Sequence, residues 1–299
     1  MFLNNPLEWY NKFWLQTHHR MEYLVAKPNE GHLSIARISK LCNTKVITQN
    51  IDQLHAKTSL VQSHIIEVHG RLGMYKCVNP RKKNPCIYSK SNTITDIDIT
   101  KYSTDFNINN KTFTIKKVPT CPCCARPVLP QTLLFDEKYE SHDFYQWHRA
   151  LQWIGDSDII VFVGTSFSVG VTHECMTIAR DNQKIMYNFN VRIDDEVKDM
   201  PRMHHITGKC EQTLPLLYNT LVELGKSQHL HHDQRMFFYR GSRRASRVPD
   251  HLRSGYYKHS MDSESSDEEI ANIIKRQHES SSEEDDDSES DYGSDMSDE

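Results

Sequence analysis

The side chains best suited to chemistry in this sequence stand at the ends of apolar runs. Ile65-Ile66-Glu67-Val68 leads into His69 and Gly70, and an imidazole in that place can act as a base near neutral pH. About twenty residues earlier, Val46-Ile47 delivers a polar cluster of Thr48, Gln49, Asn50 and Asp52. Asp158–Val163 runs into Gly164-Thr165-Ser166, a turn before a helix that suits a phosphate or a ribose. Lys184–Phe189 closes with Asn188 and Asn190, whose amides suit sugar hydroxyls. A lone histidine after a strand is more often an ordinary polar residue than a base. Four polar strand ends in one chain are the pattern of a ligand site at the carboxyl edge of an open α/β sheet.

A second chemistry is carried by sulfur. Cys121-Pro122-Cys123-Cys124 places Cys121 and Cys124 in a C-x-x-C turn, with Cys123 an extra thiol inside it. Such a turn lets two thiolates reach one tetrahedral zinc ion. Cys77 and Cys86 are the upstream partners, at a C-x8-C spacing wider than the usual pair, and the Asn84-Pro85 turn helps Cys86 fold back. Four thiolates and no open position make the ion structural rather than catalytic.

The elements that must position these groups can be read from the apolar pattern. Trp9, Phe13 and Gln16, with Tyr10 and Trp14, fall at helical spacings within an aromatic stretch over residues 1–25, so a helix there packs on something larger. Pro28-Asn29 breaks it, and a second helix runs over His32–Cys42. Gly70–Cys77 reads as a turn and short strand. Alternation in Lys111–Val118 predicts a hairpin strand inside a polar insertion over 87–118, and the zinc module spans about 71–128. Helices are expected over His142–Ile154, Val171–Arg180 and from Gly208 to about Leu224. The wholly apolar run Asp158–Val163 predicts a strand covered on both faces.

At 299 residues the chain has room for one or two domains and a substantial core. The formal net charge of −4 is unevenly spread: from Met261 onward there are 16 acidic residues against two basic ones, Lys275 and Arg276. The expected organisation is a globular body over 1–225, a basic, histidine-containing linker over 226–260 and an acidic Ser/Asp/Glu tail over 261–299, linker and tail both disordered. Residues 1–10 lack the basic start and apolar stretch of a secretory leader. No run approaches the ~18 apolar residues that span a bilayer, so no membrane partner is expected. Clustered cysteines in an intracellular chain, cytoplasmic or nuclear, favour metal over disulfides.

Taken together the motifs resemble the sirtuin family of NAD-dependent protein deacylases. The matching stretches are Lys27-Pro28-Asn29-x-x-His32, TQNID at 48–52 with His55, EVHGR around His69, the cysteine turn with Arg126-Pro127, LLFDE at 133–137, VGTSFSVG at 163–170, the Asn188/Asn190 pair and GKCEQTLP at 208–215. The resemblance implies a Rossmann-like parallel sheet with helices on both faces and a zinc module, and transfer of lysine acyl groups to the ADP-ribose of NAD with release of nicotinamide. It implies His69 as the base and Gln49, Asn50 and Asp52 at the nicotinamide and ribose. Gly164, Thr165 and Ser166 would line the phosphate and ribose side, Asn188 and Asn190 the adenosine ribose, and Cys210 the adenine. Leu134, Phe135 and Asp136 on one edge, and Phe167, Ser168 and Val169 on the other, would receive an acyl-lysine peptide as an added strand.

The sequence departs from the family pattern at its start. A first strand, a G-A-G-x-S turn for the NAD pyrophosphate and a D-F-R segment are expected before the aromatic helix, and residues 1–20 match only the helical segment that comes after those three. The expectation is therefore a sheet lacking its first strand. An alternative to the deacylase is a catalytically impaired sirtuin-like binding protein. A zinc-ribbon nucleic-acid binder is a third reading; it leaves TQNID and GTS unexplained, and no direct nucleic-acid binding is expected from the domain.

Overall fold

The fold was described from a computed structural model covering residues 2–18, 23, 25–78, 85–107, 112–134 and 137–239. It divides into two compact units. Unit 1 comprises Met1–Ile160 and Val169–Lys184, and unit 2 comprises Val161–Ser168 and Ile185–Glu299.

In unit 1 the opening aromatic stretch forms a helix over 6–17 (α1), started by Asn5, whose side chain accepts the Glu8 N–H, and by Pro6 at its first position. Its middle, Tyr10–Trp14, is wound as a π-helix. That widened turn lets Trp9, Tyr10 and Trp14 all reach the interior, with Leu15. They pack on Leu72, Tyr75, Ile94, Ile99, Phe113, Ile115 and Val128. The Tyr10 hydroxyl donates to the Val128 carbonyl (2.8 Å), and the Asn11 amide pairs with both backbone groups of Ile115 (2.9 Å each). The expected helix packing on something larger thus closes the core of the cysteine module.

Asn29 caps helix α2 (Glu30–Ile38) by accepting the His32 N–H, so Pro28-Asn29 starts this helix; α1 ends earlier, at Thr17. Strands β1 (Val46–Thr48) and β2 (Ile65–Glu67) pair in parallel, Val46 beside Ile65 and Thr48 beside Glu67. All three residues of β2 are buried, as a strand inside a parallel sheet requires. Strand β3 (Gly70–Cys77) pairs antiparallel with β6 (Val128–Thr132), and the hairpin expected in the insertion is β4 (Ser103–Asn107) with β5 (Thr112–Ile115). Helix α3 (Trp147–Asp156) and helix α4 (Gly170–Asp181) complete the unit. Ile66, Val68, Ala150, Trp153 and Val171 form the core under β2.

A three-stranded sheet runs in the order β7 (Ile159–Val163), β8 (Ile185–Asn190), β9 (Met203–Thr207), with β8 and β9 parallel; unit 2 holds β8, β9 and β7 from Val161 on. Three expectations are corrected here. Strand β7 is not covered on both faces: Ile160 and Phe162 are buried, while Ile159 and Val161 are 48% and 44% exposed. Strand β9 was not anticipated, because MHHIT carries two adjacent histidines that break an apolar run. The last helix, α5 (Cys210–Tyr239), passes the glycine at 225 and continues into the stretch expected to be a disordered linker from 226. One glycine costs a helix only about 1 kcal/mol. The linker beyond Tyr239 and the acidic tail over 261–299 lie outside the described residues.

Among the described glycines, Gly70 combines a positive φ with no room for a side chain. Its φ is +89°, and a Cβ there would overlap the Gln131 carbonyl oxygen and stand 2.8 Å from the Thr132 Cα. The β3–β6 register begins at this pair, Gly70 opposite Thr132. Gly70→Ala is expected to lower stability by about 2–4 kcal/mol, read as a lower denaturant midpoint. A midpoint within error of the parent would sink the close-approach argument.

Candidate active site and metal centre

In unit 1, β1 and β2 end side by side, and the Val68 N–H reaches back to the Thr48 carbonyl (3.1 Å). This brings the chain after Thr48 next to His69. The Thr48 hydroxyl accepts the Asn50 N–H (3.1 Å), and an Asp52 carboxylate oxygen accepts the Leu54 N–H (2.9 Å). Gln53, at φ 63°, ties the turn to β3 through its amide on the Leu72 carbonyl (2.9 Å). The Asn50 side chain is exposed and has no partner among the described residues, so it is free to meet a ligand.

His69 is partly buried, and its carbonyl accepts the Leu133 N–H (2.9 Å). Burial lowers its basicity, offset in part by a hydrogen bond to the Gln49 carbonyl. The imidazole is therefore neutral at pH 7 and able to accept a proton. Its Nε2 stands 3.2 Å from the Tyr139 hydroxyl. His55, from the same motif as Asp52, lies with its ring 4.8 Å from that of His32 and is held at about 4 by burial, with His32 adding to the shift and Asp52 opposing it. It is a neutral structural group, not a second base.

In unit 2, β7 ends in Gly164, at φ +58°, whose N–H donates to the Phe189 carbonyl (2.9 Å). The Asn190 amide donates to the Thr165 carbonyl (2.7 Å), and its oxygen accepts the Val191 N–H (2.9 Å). The turn at 164–166 and the end of β8 are thus joined. The Cys210 thiol lies 3.6 Å from the Phe189 carbonyl and 3.8 Å from where a Gly164 Cβ would stand. Asn188 behaves differently. It is buried, its Nδ2 pairs with Nδ1 of His205 (3.2 Å), and its Oδ1 has no partner among the described residues.

The residues assigned to peptide binding fare unevenly. Phe167 is only 3% exposed and packs its ring on Phe162 (5.1 Å between centroids), so its side chain does not line an edge and only its backbone remains for that role. Ser168 is exposed, its hydroxyl 2.7 Å from that of Ser166. Val169 packs on the core beneath β2. Leu134 is half-buried on the core of the cysteine module, and its N–H donates to Glu137 (2.9 Å). Phe135 and Asp136 lie outside the described residues.

Two groups were invisible in the sequence. Tyr139, two residues past LLFDE, carries no motif. Lys76 sits in β3 with a side chain 6% exposed, bonded to Glu137 (2.6 Å), the Tyr145 hydroxyl (2.8 Å) and the Thr132 carbonyl (3.0 Å). Glu137 also closes the turn that carries Leu134. Lys76→Met leaves that carboxylate without its cation, and a loss of about 3 kcal/mol is expected, checked by thermal melting against Lys76→Met/Glu137→Leu. A single variant as stable as the parent would remove the pair from this role.

The four cysteines Cys77, Cys86, Cys121 and Cys124 place their sulfurs within 4.8 Å of one another. Cys123 is exposed and outside the group. Zn–S bonds of about 2.3 Å set the sulfurs of a tetrahedral site about 3.8 Å apart; here Cys77 and Cys124 stand at 3.3 Å and Cys86 and Cys121 at 3.6 Å. Burial, then the neighbouring sulfurs, pushes the Cys77 thiol up. Crowded thiols of this kind ionise together only around a cation, so the donor set fits zinc. The widely spaced Cys86 is drawn in because β3 and the 121–124 turn face each other.

Comparison with known proteins agrees with this geometry. A model of the Sir2 family matches residues 1–171. The NAD-dependent deacetylase sir2E of Dictyostelium discoideum is 42% identical over 225 residues, covering 74% of this chain and 62% of that protein. An NAD-dependent protein deacylase of Thermococcus sibiricus is 28% identical over 184 residues, covering 61% and 64%. Among solved structures, a Sir2 homolog–NAD complex superposes with a TM-score of 0.57 at 19% identity, covering 75% of each chain. Sir2 bound to acetylated peptide gives 0.55 at 21% identity, covering 73% and 80%. The chain belongs to the Sir2 family, the sirtuins, and has their α/β fold. It spans less than two thirds of the length of these two curated relatives.

Proposed function

We propose that this chain removes acyl groups from protein lysines in an NAD-dependent reaction. The observation that carries the reading is His69: a partly buried, neutral imidazole at the end of β2, beside the polar cluster that ends β1. The relatives named as NAD-dependent deacetylases and deacylases support it. When bound, NAD would supply the ribose carbon that receives the acyl group. His69 takes the proton from a sugar hydroxyl. Asn50, with its free amide, and Asp52 orient the nicotinamide ribose, and Gln49 keeps the imidazole turned through its carbonyl. In unit 2, Gly164, Thr165 and Ser166 take the phosphate and ribose side, Asn190 holds that turn in shape, and Cys210 takes the adenine. Asn188 acts from behind, through His205. The substrate is an acyl-lysine peptide, received along the backbone at Leu134 and at Phe167–Val169. One structural zinc ion sits on the four cysteines, in a module of about residues 71–128. Free cysteines, four of them gathered for metal, support the reading of a reducing compartment, cytoplasmic or nuclear.

The test is direct. The purified chain is incubated with an acetyl-lysine peptide with and without NAD, and the deacetylated peptide is read by mass spectrometry. Product that needs NAD is expected. ADP-ribose bound in calorimetry but no product formed would replace the enzyme reading with that of a binding protein.

A further inference from the structure

The Tyr139 ring is wedged in place. It stacks on Trp147 (4.2 Å between centroids, 13° between planes), and its Cε2 lies 3.5 Å from where a Gly170 Cβ would stand, space that glycine leaves open. Its hydroxyl accepts the N–H of Val171 (3.2 Å), in the first turn of α4. On the other side the ring lies nearly parallel to His69 (21°), and the hydroxyl meets Nε2 at 3.2 Å.

The tautomer is assigned from the two neighbours of the ring. The Gln49 backbone holds the basicity of His69 up, as a carbonyl accepting a ring N–H does. With Nε2 facing Tyr139, that donor is assigned to Nδ1, so Nε2 presents its single lone pair to the phenol. The phenol oxygen therefore donates to Nε2 and accepts from Val171, which leaves it one lone pair. A sugar hydroxyl bound to that remaining pair can reach Nε2 only through the phenol, because the Nε2 lone pair is taken and the tyrosine is clamped from three directions.

We propose that Tyr139 is a second proton-transfer group of this site, placed between Nε2 of His69 and the sugar hydroxyl that gives up its proton. The inference rests on the deacylase reading above. In the step, the sugar O–H breaks as its proton passes to the phenol oxygen, and the phenol O–H breaks as its proton passes to Nε2. The products are the sugar oxygen as nucleophile, a cationic imidazole and an unchanged phenol. The α4 N–H pointing at the phenol oxygen stabilises any negative charge that develops there in transit.

Tyr139→Phe keeps the ring stack and removes only the hydroxyl. The expected result is a fall in kcat of about 10–100-fold, with KM for NAD within about twofold of the parent. A rate equal to the parent overturns the proposal, and a faster rate shows that the phenol merely occupies Nε2. A proton inventory on the parent chain needs no variant: two protons moving in one step give a curved dependence of rate on deuterium fraction, and a straight line overturns the relay. The contact is also read without turnover. A hydrogen bond to neutral Nε2 favours the neutral imidazole, so Tyr139→Phe should raise the NMR titration midpoint of His69. Among the described residues, Tyr139 is the titratable side chain in contact with the ring, and burial and the Gln49 backbone are the causes of the shift on His69. An unmoved midpoint overturns the placement of Tyr139. Absence of deacylation in the parent counts against the activity instead.

Discussion

His69→Ala is expected to lower the rate of lysine deacylation by about 10²–10⁴-fold, the range that a positioned proton acceptor supplies. Zinc content should be unchanged and the melting temperature should move little, because the imidazole is only partly buried and its contacts are those with Tyr139 and Gln49. The pH dependence is set by the direction of the histidine's shift. Burial lowers its basicity below the usual value of 6.5, and only the neutral ring accepts a proton. Activity should be flat above that lowered value and fall as the pH drops through it. A midpoint clearly above 6.5 in the pH–rate profile would assign the base elsewhere, as would a variant that keeps more than a tenth of the parent rate.

Removal of the metal has the other large effect. Structural zinc bound by cysteines contributes free energy on the order of 10 kcal/mol, comparable with the whole stability of a domain, about 5–15 kcal/mol. Three of the four sulfurs, on Cys77, Cys86 and Cys121, are themselves part of the core that buries Trp9, Tyr10 and Trp14. One zinc per chain is expected by elemental analysis. Cys121→Ala should abolish it and with it the near-ultraviolet signal of those aromatic rings, whereas Cys123→Ala should keep both. Full zinc in Cys121→Ala would rule out the assigned ligand set.

The elements that the sequence revealed share one property: their signal is local. The β-branched runs at 46–47 and 65–68, the apolar run at 159–163 and the C-x-x-C turn each announce themselves within a few residues. What stayed hidden depends on which way a side chain turns. Asn188 and Asn190 look equivalent two residues apart, yet Asn188 is buried on His205 while Asn190 faces the turn at Thr165. Phe167 lies in a motif that suggests an edge, but its φ of 58° sends the ring inward. Lys76 reads as a solvated charge in an alternating strand. It is buried because Glu137, sixty-one residues later, supplies the counter-charge. Tyr139 gains meaning only from Gly170 and Val171, which arrive more than thirty residues after it.

The helix over 6–17 carries a consequence for how the chain is made. Its buried rings pack on residues spread from Leu72 to Val128, and Tyr10 finds its acceptor on Val128 across 118 residues. At a synthesis rate of 5–20 residues per second, that is a wait of roughly 6–24 s before the core around Trp9, Tyr10 and Trp14 is complete. Cys77 emerges in that interval, but its partner turn at 121–124 arrives only at the end of it. Completion of the core under the first helix and loading of the metal therefore fall in the same narrow window.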